Sequence, residues 1–288
     1  MPVTRPGTPL TALPRTLAGA VDCLQAEPDA TILAGGTDVM VEVNAGRRTA
    51  GPVVSLRRVP ELRDWWREGD DVVLGCCLTF ATAEAKPLAG LLPGLAQAAR
   101  TVGSPQIRSA ATVGGNVCTA SPAGDSLPVL AALGARVRLL SPAGPRTLPL
   151  LDFVTGVKRT ALQRAELVTA LQVPVLSGAQ EFLKVGPRGA MVIAVASLAL
   201  AVDPARRRVG IGLGAVAPVP VRPADAERRI EAEVDWGTGR LRRREAAAEL
   251  AQHVATAAAP IDDHRSTADY RRHVVTVCAQ RALERALG

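Results

Sequence analysis

The chain has 288 residues, of which 48% are hydrophobic and 21% charged. That balance fits a folded protein with a sizeable core and excludes a disordered one. The formal net charge is +7, yet only Lys86, Lys158 and Lys184 among the 34 basic residues are lysines, and aromatic residues make up 2% of the chain. The arginines are scattered or interleaved with glutamate, so the basic run with stacking aromatics that nucleic-acid binding requires is missing; a solvated basic surface or a docking face for an acidic partner is expected instead.

Thr16 is placed to cap a helix running to about Glu27, with Leu17, Val21 and Leu24 on one face. Thr31-Ile-Leu-Ala34 then reads as a short buried strand, Gly35-Gly36 as a turn and Val39–Val43 as the opening of a helix. A strand passing through two glycines into a helix aims free backbone N–H groups outward, a cradle for a pyrophosphate. Thr37 adds a hydroxyl. A tight strand–helix turn with Asp38 as N-cap accounts for the same residues equally well.

Gly51–Leu56 and Val72–Leu78 are read as further strands, with a polar turn at Glu68-Gly-Asp-Asp71 between them. Cys76 and Cys77, adjacent in the second strand, are expected to point to opposite faces. Pro93–Val102 is helical, with the proline in the first turn. The next segment, Thr112-Val-Gly-Gly-Asn-Val-Cys-Thr-Ala-Ser-Pro-Ala-Gly-Asp125, reads as a loop whose backbone can approach a large polar, phosphate-bearing ligand. Thr112 offers a hydroxyl there and Asn116 both a donor and an acceptor. The other reading is a glycine hairpin in a sheet, with Asp125 as the N-cap of the helix that follows.

Leu127–Leu133 reads as that helix, and Arg136–Leu140 and Leu167–Val173 as strands. Residues 175–180 form the expected domain boundary. Beyond it, Glu181–Arg188, Met191–Val202 and Arg208–Val216 are read as strands of one antiparallel sheet, with helices from Asp225 onward. Gly210-Ile-Gly-Leu-Gly214 is GxGxG, not GxGxxG, and Pro218 and Pro220 follow where a helix should begin; it reads as a strand packed closely on a neighbour. A lysine retained at 184 in so arginine-rich a chain suggests a task for a compact ammonium, or else plain surface charge.

Five scattered cysteines without a CxxC spacing indicate reduced thiols and a cytoplasmic protein. The opening Met1–Pro6 lacks the profile of a signal peptide, and the longest apolar run, Met191–Val202, is too short to span a bilayer. No metal spacing links His253, His264 and His273. There is no HExxH, no GxSxG and no pair of catalytic carboxylates, so the parts for hydrolysis are missing.

The order Ala-Gly-Gly-Thr-Asp, then Thr-Val-Gly-Gly-Asn…Ala-Ser-Pro-x-x-Asp, then Phe-x-Lys-Val resembles the FAD-binding medium subunit of the molybdenum hydroxylases, the xanthine dehydrogenase and carbon monoxide dehydrogenase group. Residues 53–62, 214–220 and 262–271 extend the resemblance over nearly the whole chain. It implies an α+β protein: a two-subdomain FAD-binding domain (1–176, divided near 58/59) of the PCMH-like kind, then a C-terminal domain (177–288) of antiparallel sheet and helices. It implies that Leu33, Ala34, Gly35, Gly36, Thr37 and Asp38 bind the pyrophosphate side of FAD. Thr112, Val113, Gly114, Gly115 and Asn116 would contact the phosphates and flavin, Asp125 the ribityl or flavin region, Val168 the ring face and Lys184 the ring edge. The implied partners are a large molybdopterin subunit and a small subunit with two [2Fe–2S] clusters, whose electrons would pass to this FAD and on to NAD⁺ or another acceptor. With no histidine near either glycine segment, FAD would be held non-covalently. The extra cluster-binding insertion of some relatives is absent, Pro187 departs from their pattern, and Trp65-Trp66 has no explanation in the sequence. A self-contained flavin oxidase or reductase of the same fold is the alternative; it would need acid–base groups on the C-terminal domain, where none is evident. A basic binding protein that has lost FAD is a third.

Overall fold

A computed structural model describes residues 11–49, 51–243 and 245–288; the opening Met1–Pro6 lies outside them. The first unit is a three-stranded parallel sheet in which Val53–Ser55 lies between Thr11–Ala12 and Thr31–Leu33. Parallel pairing needs crossovers, which the helices Leu17–Ala26 and Val39–Asn44 provide. The first is capped as its sequence predicts, the Gly19 N–H donating to Thr16 Oγ1 at 3.1 Å.

The second unit is a five-stranded antiparallel sheet in the order Trp65–Glu68, Asp71–Gly75, Leu167–Pro174, Arg136–Ser141, Gly144–Pro149. Its central strand is buried along most of its length, as its valines and leucines require. The polar turn at 68–71 closes a hairpin whose first arm, Trp65–Glu68, the sequence reading lacks. Trp65 packs on the core from this edge strand, while the exposed Trp66 donates from Nε1 to Glu68 Oε1 at 2.7 Å.

The third unit places Gln180–Val185, Ala196–Asp203 and Arg208–Gly214 in one antiparallel sheet. The helices Ala224–Glu233, Ala246–Ala255 and Ala268–Leu287 cover one face and enclose a second hydrophobic core. The expected strand 191–202 begins only at Ala196; residues 191–195 form a bend instead. The GxGxG strand behaves as read: a Cβ on Gly210 would lie 2.0 Å from the Ala132 carbonyl oxygen, and one on Gly212 would lie 1.9 Å from that of Pro128. The sheet therefore rests directly on the backbone of the helix Ser126–Ala132. A second tie joins it to the helix Pro93–Thr101. Gln97 Nε2 donates to the Gln180 carbonyl at 3.0 Å, and Gln97 Oε1 accepts from the Phe182 N–H at 2.8 Å.

Arg271, 2% exposed, fastens the C-terminal unit from within. Its guanidinium donates to the carbonyls of Val195 and Ala215 and to Asp263 Oδ1 at 2.6–2.9 Å. Asp263, which also takes Arg265, is held well below the usual carboxylate range by these arginines and by backbone N–H donors. Among the described residues no helix is long and apolar enough to cross a membrane.

Candidate cofactor cleft

The two glycine segments meet. Gly35 lies so close to the second segment that a Cβ there would stand 2.0 Å from the Ala110 carbonyl oxygen, immediately before Ala111 and Thr112. A side-chain bond repeats the junction, Thr119 Oγ1 donating to Asp38 Oδ2 at 2.7 Å. Asp38 therefore spends its carboxylate on the second segment and makes no side-chain cap on its own helix. Gly36 has φ +76°, a left-handed turn that glycine adopts without strain.

The second segment departs from the expected loop. Val113–Thr119 is a short helix, capped by Thr112, whose Oγ1 accepts from the Gly115 N–H at 3.0 Å. Neither Gly114 nor Gly115 has a positive φ. Closeness explains them: a Cβ on Gly114 would collide with Cys76 at 2.5 Å, and one on Gly115 with Thr112 Oγ1 at 2.7 Å. The first N–H groups of this helix are already used, Val113 donating to the Leu78 carbonyl and Gly114 to that of Cys76. Free donors come from the first segment instead: among the described residues, the N–H groups of Gly35, Gly36, Thr37 and Asp38 have no acceptor.

Around this junction opens a cleft of about 690 Å³, within the range of sites that hold a small ligand or cofactor. Ala34, Gly35, Gly36, Thr37 and Asp38 line it from one side, Thr112, Gly114, Gly115 and Asn116 from the other, with Val168 at the wall. Leu33, Val113, Asp125 and Lys184 do not line it. Residues that sequence reasoning missed complete the wall: Arg48, Phe80, Ile107 and Ile193. Arg48 follows the first unit's second helix and donates to Thr31 Oγ1 at 2.9 Å. Ile193, 62% exposed, reaches the cleft from the bend before Ala196. No local pattern marks any of them.

Asp125 and Lys184 form a buried pair just behind this wall. Their side chains are each 7% exposed and Lys184 Nζ lies 2.5 Å from Asp125 Oδ2. That oxygen also accepts from Thr101 Oγ1, and Lys184 donates to the Thr101 carbonyl. Asp125 makes no side-chain cap, and its Oδ1 is buried without a partner. Burial pushes the Asp125 carboxyl up from its ordinary range, while the Lys184 charge and hydrogen bonds from Lys184 and Thr101 pull it back. The next residue, Ser126, donates to Asn116 Oδ1 at 2.7 Å. The pair is thus one residue removed from the lining at Asn116, and likewise at Val102 beyond Thr101.

A polar donor edge, an arginine and an apolar patch of Phe80, Ile107, Val168 and Ile193 suit a long ligand with an anionic middle and flat ends. Fold and cleft define a cofactor-binding protein of the α+β class. The family profile described as "FAD binding domain in molybdopterin dehydrogenase" matches residues 9–176, and that described as "CO dehydrogenase flavoprotein C-terminal domain" matches residues 181–286. The chain is 34% identical over 202 residues to the nicotinate dehydrogenase FAD-subunit of Eubacterium barkeri, covering 67% of this chain and 68% of that one. It is 30% identical over 279 residues to the carbon monoxide dehydrogenase medium chain of Afipia carboxidovorans, covering 95% and 94%. The solved structure of reconstituted CO dehydrogenase from Oligotropha carboxidovorans superposes with a TM-score of 0.87 at 28% identity, over 98% of this chain and 99% of that one. The chain belongs to the FAD-binding medium subunits of the molybdenum hydroxylases, and is an oxidoreductase subunit.

Proposed function

We propose that this chain is the FAD-bearing electron-transfer subunit of a cytoplasmic complex. It would take electrons from [2Fe–2S] clusters on a small partner subunit, reduced by a large molybdopterin subunit, and hand them to NAD⁺ or another acceptor. The contact of Gly35 with Ala110 carries the reading, because it joins two distant glycine segments in one cleft wall. The free thiols of all five cysteines agree with a reducing compartment.

Bound FAD would supply the redox chemistry; the chain's task is to hold and orient it. The unpaired N–H groups from Gly35 to Asp38, with Arg48 nearby, are placed for the pyrophosphate, with Leu33 and Ala34 setting their approach. Thr112 to Asn116 form the opposing wall, where Gly114 and Gly115 let the helix seat against Cys76 and its Thr112 cap, Val113 anchors the helix and Asn116 Nδ2 has no acceptor among the described residues. Val168 offers an apolar face to the ring. Asp125 and Lys184 act here on the ribityl and ring-edge region, holding Asn116 and Val102 in place and keeping a positive charge close behind them. The matches ending at 176 and beginning at 181 support domains of 1–176 and 177–288; the first would divide near 58/59.

The test is titration of the purified full chain with FAD, followed by flavin absorbance, together with affinity purification from its native host. Saturable one-to-one binding and co-purification of molybdenum- and iron–sulfur-containing subunits are expected. A chain that binds no FAD, or that binds FAD and oxidises a substrate without partners, refutes the proposal.

A further inference from the structure

Cys76 and Cys77 do not point to opposite faces. The strand Asp71–Gly75 ends just before them, and the chain turns so that the two sulfurs lie 3.8 Å apart, each in a buried residue. The backbone at the pair is held on three sides. The Cys76 N–H donates to the Thr169 carbonyl at 2.9 Å, the Cys77 N–H donates to the Leu62 carbonyl at 2.7 Å, and the Cys76 carbonyl accepts from the Gly114 N–H at 3.1 Å. Cys76 also lines the cleft, which gives a small molecule there a path to one of the two thiols.

We infer that Cys76 and Cys77 form a peroxide-oxidisable dithiol in the cleft wall, closing reversibly to a disulfide between consecutive residues. Cys76, the thiol that lines the cleft, meets the peroxide, and Cys77 is the resolving thiol. A hydrogen bond shared with Cys76 holds the Cys77 thiol below the usual range, burial opposes this and Arg63 assists it, which suits Cys77 to that second step. Cys76 Sγ attacks one oxygen of hydrogen peroxide, the O–O bond breaks, and the thiol proton leaves with the other oxygen as water; Cys76 is then a sulfenic acid. Cys77 Sγ attacks that sulfur, the S–O bond breaks, and the departing hydroxide takes the Cys77 proton as a second water. Two electrons have passed from the two sulfurs to the peroxide.

Geometry makes the product labile. Consecutive Cα atoms are about 3.8 Å apart, shorter than the roughly 4.4–6.8 Å that disulfides prefer, so the ring closes only with distortion and reopens readily under thiol reductants. The peptide that must distort is the one bonded to Gly114 and Leu62, and the Cys76 N–H just before it is tied to Thr169, beside Val168. Oxidation is therefore expected to loosen the cleft wall and speed the loss of FAD; this second consequence alone rests on the function proposed above.

The test treats the purified full chain, with and without added FAD, with hydrogen peroxide, then alkylates it after denaturation and digests it. The peptide between Arg67 and Arg100 contains no other cysteine. It should lose the mass of two hydrogens, resist alkylation, and recover both alkylation sites after dithiothreitol. Cys118→Ser should leave this unchanged, while Cys76→Ser and Cys77→Ser should abolish it. A peptide that keeps two free thiols, or a bond from Cys76 to Cys118, overturns the inference. Failure of FAD to bind would sink the proposed function and leave the thiol result standing.

Discussion

Replacing Lys184 with methionine keeps most of the side-chain volume and removes the one cation that, among the described residues, pairs with Asp125. The carboxylate would retain one donor, Thr101 Oγ1 at 3.1 Å, with its Oδ1 still unpartnered. A buried charge stripped of its partner costs about 3–5 kcal/mol, but protonation sets a ceiling. From an ordinary value of 3.8, neutralising the group at pH 7 takes about three pH units at about 1.4 kcal/mol each, or about 4 kcal/mol. At pH 5 the same ceiling falls to about 1.5 kcal/mol. The sign is fixed by linkage: a carboxyl raised by burial binds its proton more tightly folded than unfolded. Its contribution is complete below 3.8 and is lost as pH rises through the folded value. Removing Lys184 raises that folded value further, so the penalty must grow with pH. Urea unfolding of wild type, Lys184→Met and Lys184→Met/Asp125→Asn at pH 5 and pH 7 measures it, and the double variant should recover most of the loss. A penalty under about 1 kcal/mol at pH 7, or one equal at both pH values, would refute the account of a desolvated carboxylate held charged by one lysine.

Gly35→Ala should push the two glycine segments apart, costing about 1–3 kcal/mol in stability and weakening FAD at least tenfold by titration; wild-type affinity would mean that the contact with Ala110 does not shape the site. Gly212→Ala drives a methyl into the Pro128 carbonyl, and should lower the urea midpoint by a similar energy while leaving FAD affinity nearly unchanged; an unaltered midpoint would mean that this sheet is not seated on the helix Ser126–Ala132. Arg271→Ala opens a cavity, leaves the carbonyls of Val195 and Ala215 without this donor and removes one of the two arginines on Asp263, for a loss of about 3–5 kcal/mol. A change below about 1 kcal/mol in chemical unfolding would show that the C-terminal unit does not depend on this anchor.

Elements whose cause is local were legible in the sequence. Thr16 caps its helix, the buried run Leu167–Pro174 is a strand, and the strands after residue 180 form one antiparallel sheet. Those decided by distant partners were not. Val, Gly and Thr are weak helix formers, so Val113–Thr119 reads as a loop until Leu78 and Cys76 supply acceptors for its first N–H groups. Met191–Val195 has strand composition, yet ladder pairing with both neighbours starts only at Ala196–Ser197. In the cleft, the glycines and Asn116 announced themselves through paired motifs. Arg48 and Ile193 did not, since each reaches the site from outside both glycine segments and carries no mark in its own neighbourhood.

The glycines show why motif and packing are hard to separate from sequence. Gly35, Gly114 and Gly212 each allow one backbone to touch another, against Ala110, Cys76 and Pro128. Only the first two contacts border the cleft. A missing Cβ thus reports close approach but not what approaches. What distinguishes Gly35 is its neighbours: from Gly35 to Asp38, successive N–H groups lack acceptors among the described residues, whereas Gly210 and Gly212 lie within the paired strand Arg208–Gly214. Unspent donors, more than the glycines beside them, are what make the first segment a place for an anion.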